Sequence, residues 1–362
     1  MAATNSPSTL PGRLGNPDMD LSTDPRTNPK IVKMFAALGM EKNATSPDAE
    51  LNIETLTPIQ ATADAQYNGL YSMIENDLPG DATEPKVDES EISIKGEDGN
   101  DIKLHVFRPA GVQETLPCVI YTHGGGMVLI DTYNKAHVRW CVSIAAKGIV
   151  CIMTDFRNAY SKSGHNPFPK GLNDCAAAAK YVAEHRGEFN IGKIVLQGES
   201  GGANLALTTS LKAKRDGWID EIAGIYASVP YISGAYGWSK ERKLKELPSL
   251  VECDGYLLNT TWMGQSAFYY SPDDLTNPHA WPYHSSVEDL QGLPPTILSM
   301  DELDPLKDEG LVFYQKLTAA GVEVVGRLNM GVTHGSSLVF RKALPEVHNA
   351  AIRDITSFAK SL

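Results

Sequence analysis

The residues Ile194-Val195-Leu196-Gln197-Gly198-Glu199-Ser200-Gly201-Gly202 join an apolar run to a glycine-flanked serine, and an alanine- and leucine-bearing helical pattern opens directly after them. A short apolar run stopped by glycine predicts a buried strand, and the spacing beyond it predicts a helix. Ser200 therefore falls on a sharp strand-to-helix turn. Attack on a carbonyl needs a hydroxyl projected clear of the sheet, and the flanking glycines remove side chains that would collide at such a bend. Ser200 is the candidate nucleophile. Glu199 is read as structural, its side chain turned away from the serine.

The pattern around this turn repeats. Apolar runs at residues 118–122, 149–154, 193–197, 222–229, 296–300 and 322–328 alternate with helical patterns near 135–147, 171–186, 203–215, 306–320 and 339–361. Near-continuous apolar strands, each followed by a helix, predict a mainly parallel sheet covered on both faces. Ahead of them, runs at 92–94 and 102–107 flank the turn Gly96-Glu97-Asp98-Gly99 and predict an antiparallel hairpin. Residues 1 to about 50 are rich in turn formers, with a helical pattern at 57–76. Residues 231–289 mix aromatics, proline and charge without strand alternation. The expected division is an α/β catalytic domain of 91–230 and 290–362, an N-terminal extension of 1–90, and an insertion of 231–289. The last two would roof the carboxyl ends of the strands, where open α/β sheets place their sites.

Acyl transfer also needs fixed donors for the carbonyl oxygen. His123-Gly124-Gly125-Gly126 follows the strand at 119–121, and a glycine run offers amides unobstructed by side chains. Gly125, Gly126 and Gly201 are the candidate donors, and His123 is read as a hydrogen-bonded loop residue. No Lys-Ser or Lys-Thr follows the run, which disfavours a phosphate loop. In this fold the acid and then the base come after the serine in the chain. Asp304 is the favoured acid because Pro305 and a helix start follow it. Asp308 and Glu309 fall in the helix's first turn, where dipole stabilisation explains them. Of nine histidines only His334 and His348 lie beyond Asp304. His334 is the candidate base on the loop after the last strand; His348 is read as a surface or packing residue of the terminal helix.

The H-G-G-G run, the serine turn and Asp304-Pro305-Leu306-Lys307-Asp308-Glu309-Gly310 resemble the hormone-sensitive-lipase family of esterases. The likeness covers nearly the whole chain, including residues 14–29, 164–169, 226–234, 246–255 and 280–283. It implies an α/β-hydrolase fold with a helical cap, a triad of Ser200, Asp304 and His334, an oxyanion hole of Gly125, Gly126 and Gly201, and action on carboxylic esters. A macrocyclic lactone substrate and a homodimer are suggested by the resemblance alone. Glu199 and Gly201 stand where many members have Asp and Ala, and Lys307 where Arg is frequent.

Composition narrows the partners. Lys and Arg number 32 against 44 Asp and Glu, and a net charge of -12 repels nucleic acid and anionic lipid. No membrane span or signal segment is expected. The five cysteines lack paired spacings, so buried free thiols in a cytoplasmic protein are expected, with no metal or organic cofactor. Met127, Tyr231, Tyr236 and Trp238 are candidates for an apolar substrate pocket. Two rival functions share the sequence: an amide or peptide hydrolase with the same triad, and a catalytically silent ligand receptor on the same scaffold.

Overall fold

The computed structural model describes residues 10–78 and 80–362. Eight strands form one sheet: β1 Val87–Lys95, β2 Asp101–Pro109, β3 Leu116–Thr122, β4 Val150–Asp155, β5 Ile191–Glu199, β6 Ile222–Ser228, β7 Thr296–Asp301 and β8 Val324–Asn329. Their order is β1-β2-β4-β3-β5-β6-β7-β8. β1 and β2 form the predicted hairpin, with Gly99 at φ 76° in its turn, and β2 runs antiparallel to β4. From β4 to β8 all pairings are parallel. β5 lies mid-sheet and buried on both faces, which is why its sequence reads as an unbroken apolar run. At the open edge β8 is largely exposed.

Helices cover both faces. α1 Pro29–Leu38 lies in the N-terminal region read as rich in turn formers, where no helix was singled out. Its start is nonetheless written locally, since Asn28 accepts from the Lys30 amide and Pro29 occupies the first turn. α2 Ile53–Met73 begins four residues before the predicted boundary because Asn52 caps it, accepting from Thr55 N. Pro58 then sits in the second turn and does not open the helix. α3 Lys135–Ala145, α4 Lys170–Glu184, α5 Gly201–Arg215, α6 Thr260–Tyr270, α7 Lys307–Ala319 and α8 Pro345–Ser361 follow. α4 packs on α5, and α3 on α8. The predicted helix at 339–361 is broken: a four-residue helix ends at Val339, and α8 starts afresh at Pro345, whose ring holds Leu344 out of the helical region.

Residues 44–60 pack against residues 255–266. Ala44 N donates to Gly255 O at 2.8 Å, Gln265 Nε2 to Pro47 O at 2.8 Å, and Ser266 Oγ to Gln60 Oε1 at 3.2 Å. α6 was not foreseen: Thr260, Thr261, Gln265 and Ser266 are interleaved with its aromatic and aliphatic residues on no single face, so no helical periodicity marks it. All five cysteines are buried and free. Among the described residues no helix is long and apolar enough to cross a membrane, and no group of His, Cys, Asp and Glu could hold a metal ion.

Candidate active site

Ser200 occupies the junction of β5 and α5 with φ 56° and ψ -119°, a strained conformation for a residue bearing a Cβ. The turn is locked: Ser200 N donates to Ser228 O at 2.9 Å, and Asn204 N to Ser200 O at 3.1 Å. Closeness of chain explains the glycines around it. A Cβ on Gly202 would fall 1.9 Å from Thr122 O, and one on Gly198 2.3 Å from Gly202 C. Here the glycines serve packing of β3 and β5 onto α5 as much as conformational freedom.

The Gly124–Gly126 loop faces the serine. Gly125 and Gly126 hold φ 95° and 64°, and among the described residues neither amide donates within the protein. Gly201 opens α5, so its amide is one of the first-turn N–H groups that have no intrahelical acceptor. It abuts the same loop, since a Cβ there would lie 2.8 Å from Gly126 N. His123 is fully buried, with Nδ1 at 2.7 Å from Gly124 O and Nε2 at 2.9 Å from Thr132 Oγ1. Burial and the neighbouring His137 hold its pKa well below the ordinary imidazole value, so it is a neutral clamp of the loop.

Glu199 departs from its reading. Its side chain borders the cavity at Ser200, and Oε1 accepts from Gly124 N at 2.6 Å and from Tyr121 Oη at 3.0 Å. It anchors the glycine loop. Burial pushes its carboxyl up to about 8, against the Gly124 and Tyr121 donors that favour the charge. No motif logic distinguishes this inward turn, because the partner loop lies 75 residues away.

At the far side of the cavity, His334 Nδ1 lies 2.7 Å from Asp304 Oδ2, and Asp304 Oδ1 accepts from Leu306 N at 2.9 Å. Burial disfavours the imidazolium, but the charge and hydrogen bond of Asp304, with the charges of Asp301 and Glu199, outweigh it and raise the His334 pKa. Asp301 was missed as a neighbour of the pair. Burial, then the charge of Asp304, pushes its carboxyl up to about 7, while Asn329 Nδ2 donates to it at 2.8 Å. His348 packs against α3, with Nε2 3.1 Å from Ser143 Oγ.

Three outside segments hold the loop that carries His334. Asn28 N donates to Gly331 O at 2.8 Å, Thr333 Oγ1 to Tyr256 O at 3.0 Å, and Leu303 N to Val332 O at 3.0 Å. The helix α7 that follows Asp304 is tied likewise. Asp308 and Glu309 do more than meet a helix dipole: Asp308 Oδ2 accepts from Ser249 N at 2.6 Å, and Glu309 takes Ile232 N, Ser233 Oγ and Tyr236 Oη at 2.6, 2.6 and 2.8 Å.

Ser200, His334 and Gly124–Gly126 border one cavity walled mostly by apolar side chains, as small-molecule sites commonly are. Of the four predicted pocket residues only Tyr231 lines it. Met127 is buried beside Gly201 with its carbonyl taken by Ala159 N. Tyr236 stacks behind Tyr231 at 4.5 Å, and Trp238 lies under the Arg242 guanidinium at 3.4 Å. The walls come instead from α2 (Tyr67, Leu70, Tyr71), the insertion (Leu257, Leu258, Trp262, Met263), Leu129, Ile130, Val339 and Phe340.

A family model described as the alpha/beta hydrolase fold matches residues 119–338. The chain belongs to the α/β-hydrolase family. This hydrolase is 46% identical to brefeldin A esterase, a bacterial homologue of human hormone-sensitive lipase, with a TM-score of 0.95 over 97% of this chain and 98% of that one. It is 35% identical to esterase Est22, with a TM-score of 0.84 over 94% and 99%. Carboxylesterase NlhH of Mycobacterium tuberculosis (strain CDC 1551 / Oshkosh) shares 29% identity over 279 residues, 74% of this chain and 81% of that protein. The hydrolase thus lies in the branch of hormone-sensitive-lipase homologues.

Proposed function

We propose that Ser200, His334 and Asp304 are the triad of this carboxylic ester hydrolase, and that it works through an acyl-enzyme on Ser200. The observation that carries the reading is the strained serine bordering the same cavity as a histidine whose Nδ1 is held by a buried carboxylate. With Nδ1 engaged, Nε2 is the nitrogen left to take the serine proton. The hydroxyl oxygen attacks the ester carbonyl, and the new oxyanion is met by the amides of Gly125, Gly126 and Gly201, each worth about 3 kcal/mol by comparison with donors lost elsewhere. The imidazolium gives its proton to the leaving alcohol. Water, deprotonated by His334, then releases the acid.

In this reading residues 91–230 and 290–362 form the catalytic domain, and the extension of 1–90 with the insertion of 231–289 forms a cap whose α2 and α6 supply the cavity roof. The test is a chromogenic short-chain ester with Ser200→Ala, alongside a fluorophosphonate probe. Turnover and labelling by the wild type, both lost in the variant, are expected. Undiminished turnover by the variant overturns the assignment, and matched amide and lactone substrates define the bond cleaved.

A further inference from the structure

One buried hydroxyl lies between the two loops that carry Asp304 and His334. Thr333, the residue before His334, is fully buried, and its Oγ1 donates a proton shared between Tyr256 O at 3.0 Å and Leu303 O at 3.3 Å. Leu303 is the residue before Asp304. The hydroxyl therefore reaches from the neighbour of one partner to the neighbour of the other, and on to a third segment. That third segment is fixed: Tyr256 is fully buried, and its Oη donates to Asp24 Oδ2 at 3.1 Å. The Thr333 carbonyl is engaged as well, taking Ser336 Oγ at 2.6 Å and Ser336 N at 3.2 Å, so the side chain is aimed from a held turn.

Among the described residues, Leu303 N to Val332 O at 3.0 Å is the last backbone bond between the two chains before Asp304 and His334. One such bond fixes a distance and leaves rotation about itself. The Thr333 hydroxyl adds a second attachment, next to both side chains of the 2.7 Å contact between His334 Nδ1 and Asp304 Oδ2. That contact weakens steeply when its angle is poor. A β-branched side chain has few χ1 states, which suits threonine to the place. The charges that favour the His334 imidazolium belong to Asp304, Asp301 and Glu199. Thr333 Oγ1 bonds to none of them, so its removal changes no formal charge at the site.

We propose that Thr333 is a positioning residue: its hydroxyl sets the alignment of His334 with Asp304 and ties it to the Tyr256 segment, whose next two residues, Leu257 and Leu258, wall the cavity. The inference rests on the reading of Ser200, His334 and Asp304 as the triad. Valine has nearly the shape of threonine but no donor, and would leave two buried carbonyls facing a methyl group. Serine keeps the donor and drops only the methyl.

The test compares Thr333→Val and Thr333→Ser in the full chain. Thr333→Cys, whose thiol donates weakly, is the second probe of a lost hydroxyl should valine prevent folding. Titration of His334, followed by NMR of protein carrying isotope-labelled histidine and assigned with His334→Gln, reads the pairing directly. In Thr333→Val the midpoint is expected to move to lower pH by about 0.5, because a misaligned Asp304 favours the imidazolium less. Its kcat on a chromogenic short-chain ester is expected to fall about tenfold, below the roughly 10²-fold cost of a misplacement of about 1 Å. Thr333→Cys is expected to shift both in the same direction, and Thr333→Ser to restore both. The same titration in a Ser200→Ala background needs no turnover, so a failed nucleophile assignment shows separately, as hydrolysis that survives that substitution. An unmoved His334 midpoint in the folded valine or cysteine variant, or a loss that serine shares, overturns the proposal.

Discussion

The imidazole of His334 and the carboxylate of Asp304 meet at 2.7 Å through Nδ1, and both residues are buried. That contact fixes one tautomer: with the proton on Nδ1 directed at Asp304, the basic lone pair is on Nε2. Asp304→Asn keeps the shape but can hold the wrong tautomer. It is expected to lower kcat by about 10³ to 10⁴, as the equivalent change does in a serine protease, with a melting temperature near wild type. Stopped assays with a chromogenic ester and a thermal melt check both, and a normal kcat would mean another acid serves.

The pH profile follows from the same pair. In the proposed mechanism His334 must be neutral to take the Ser200 proton, and its folded pKa is raised above 6.5. The rising limb of kcat/KM is therefore expected above the ordinary imidazole range, with activity lost as pH falls through the limb. Stability runs the other way: the pairing of imidazolium with Asp304 contributes fully below pH 6.5 and is lost as pH rises through the folded pKa. Asp301 adds to the shift by its charge. Asp301→Asn should move the limb to lower pH, and an unmoved limb would remove Asp301 from the site's electrostatics.

Gly202 is expected to tolerate no side chain. In Gly202→Ala the new methyl would lie 1.9 Å from the Thr122 carbonyl, and the intruded atom belongs to the backbone of the central strand β3. Backbone cannot swing aside as a side chain can, so the loss is expected to be about 3 kcal/mol or more. Urea unfolding of the purified variant measures it; a midpoint equal to wild type would contradict the closeness of α5 to β3.

Much of this was legible from the chain itself. The buried strands announce themselves because burial on both faces demands unbroken apolar runs, as in β5, and the serine turn because glycine is the one residue its crowding admits. Asp304 and His334, singled out by chain order and by their place after strands, lie within hydrogen-bonding distance of each other. What escaped depends on chain folded back from far away. Trp262 and Tyr67 are 195 residues apart and become cavity walls only when α6 lies on α2, while Met127, Tyr236 and Trp238 point into packing that no local pattern encodes. Glu199 turned inward for the same reason, its partner being the Gly124 amide.

That inward turn is testable. Glu199 Oε1 at 2.6 Å from Gly124 N holds the loop that carries the Gly125 and Gly126 amides. Glu199→Ala leaves a buried amide and the Tyr121 hydroxyl without an acceptor, and the loosened loop should lower kcat by about 10- to 100-fold, a fraction of losing an oxyanion donor outright. Glu199→Gln keeps an acceptor oxygen and should recover most of the rate. If both variants lose the same activity, the charge matters and not the hydrogen bond; if neither does, the loop needs no anchor.

Glu252 connects Arg26 to Lys307 at the start of α7. Its Oε1 lies 2.6 Å from Arg26 Nη1, itself paired with Asp24 at 2.7 Å, and its Oε2 lies 3.2 Å from Lys307 Nζ at the start of α7. Lys307 stands three residues beyond Asp304, so the pairing bears on the acid loop. The Glu252 side chain is only 6% exposed, and removing it strands two cations, one of which keeps Asp24. Glu252→Ala is expected to cost about 2 to 3 kcal/mol, below the full range for a buried pair because both cations reach solvent. Arg26→Ala should cost less, and the Arg26/Glu252 double-mutant cycle should return a coupling of about 1 kcal/mol. A role in placing Asp304 predicts that Glu252→Ala also lowers kcat at temperatures where the variant is fully folded, whereas a role in stability alone predicts a shifted unfolding midpoint with unchanged kcat.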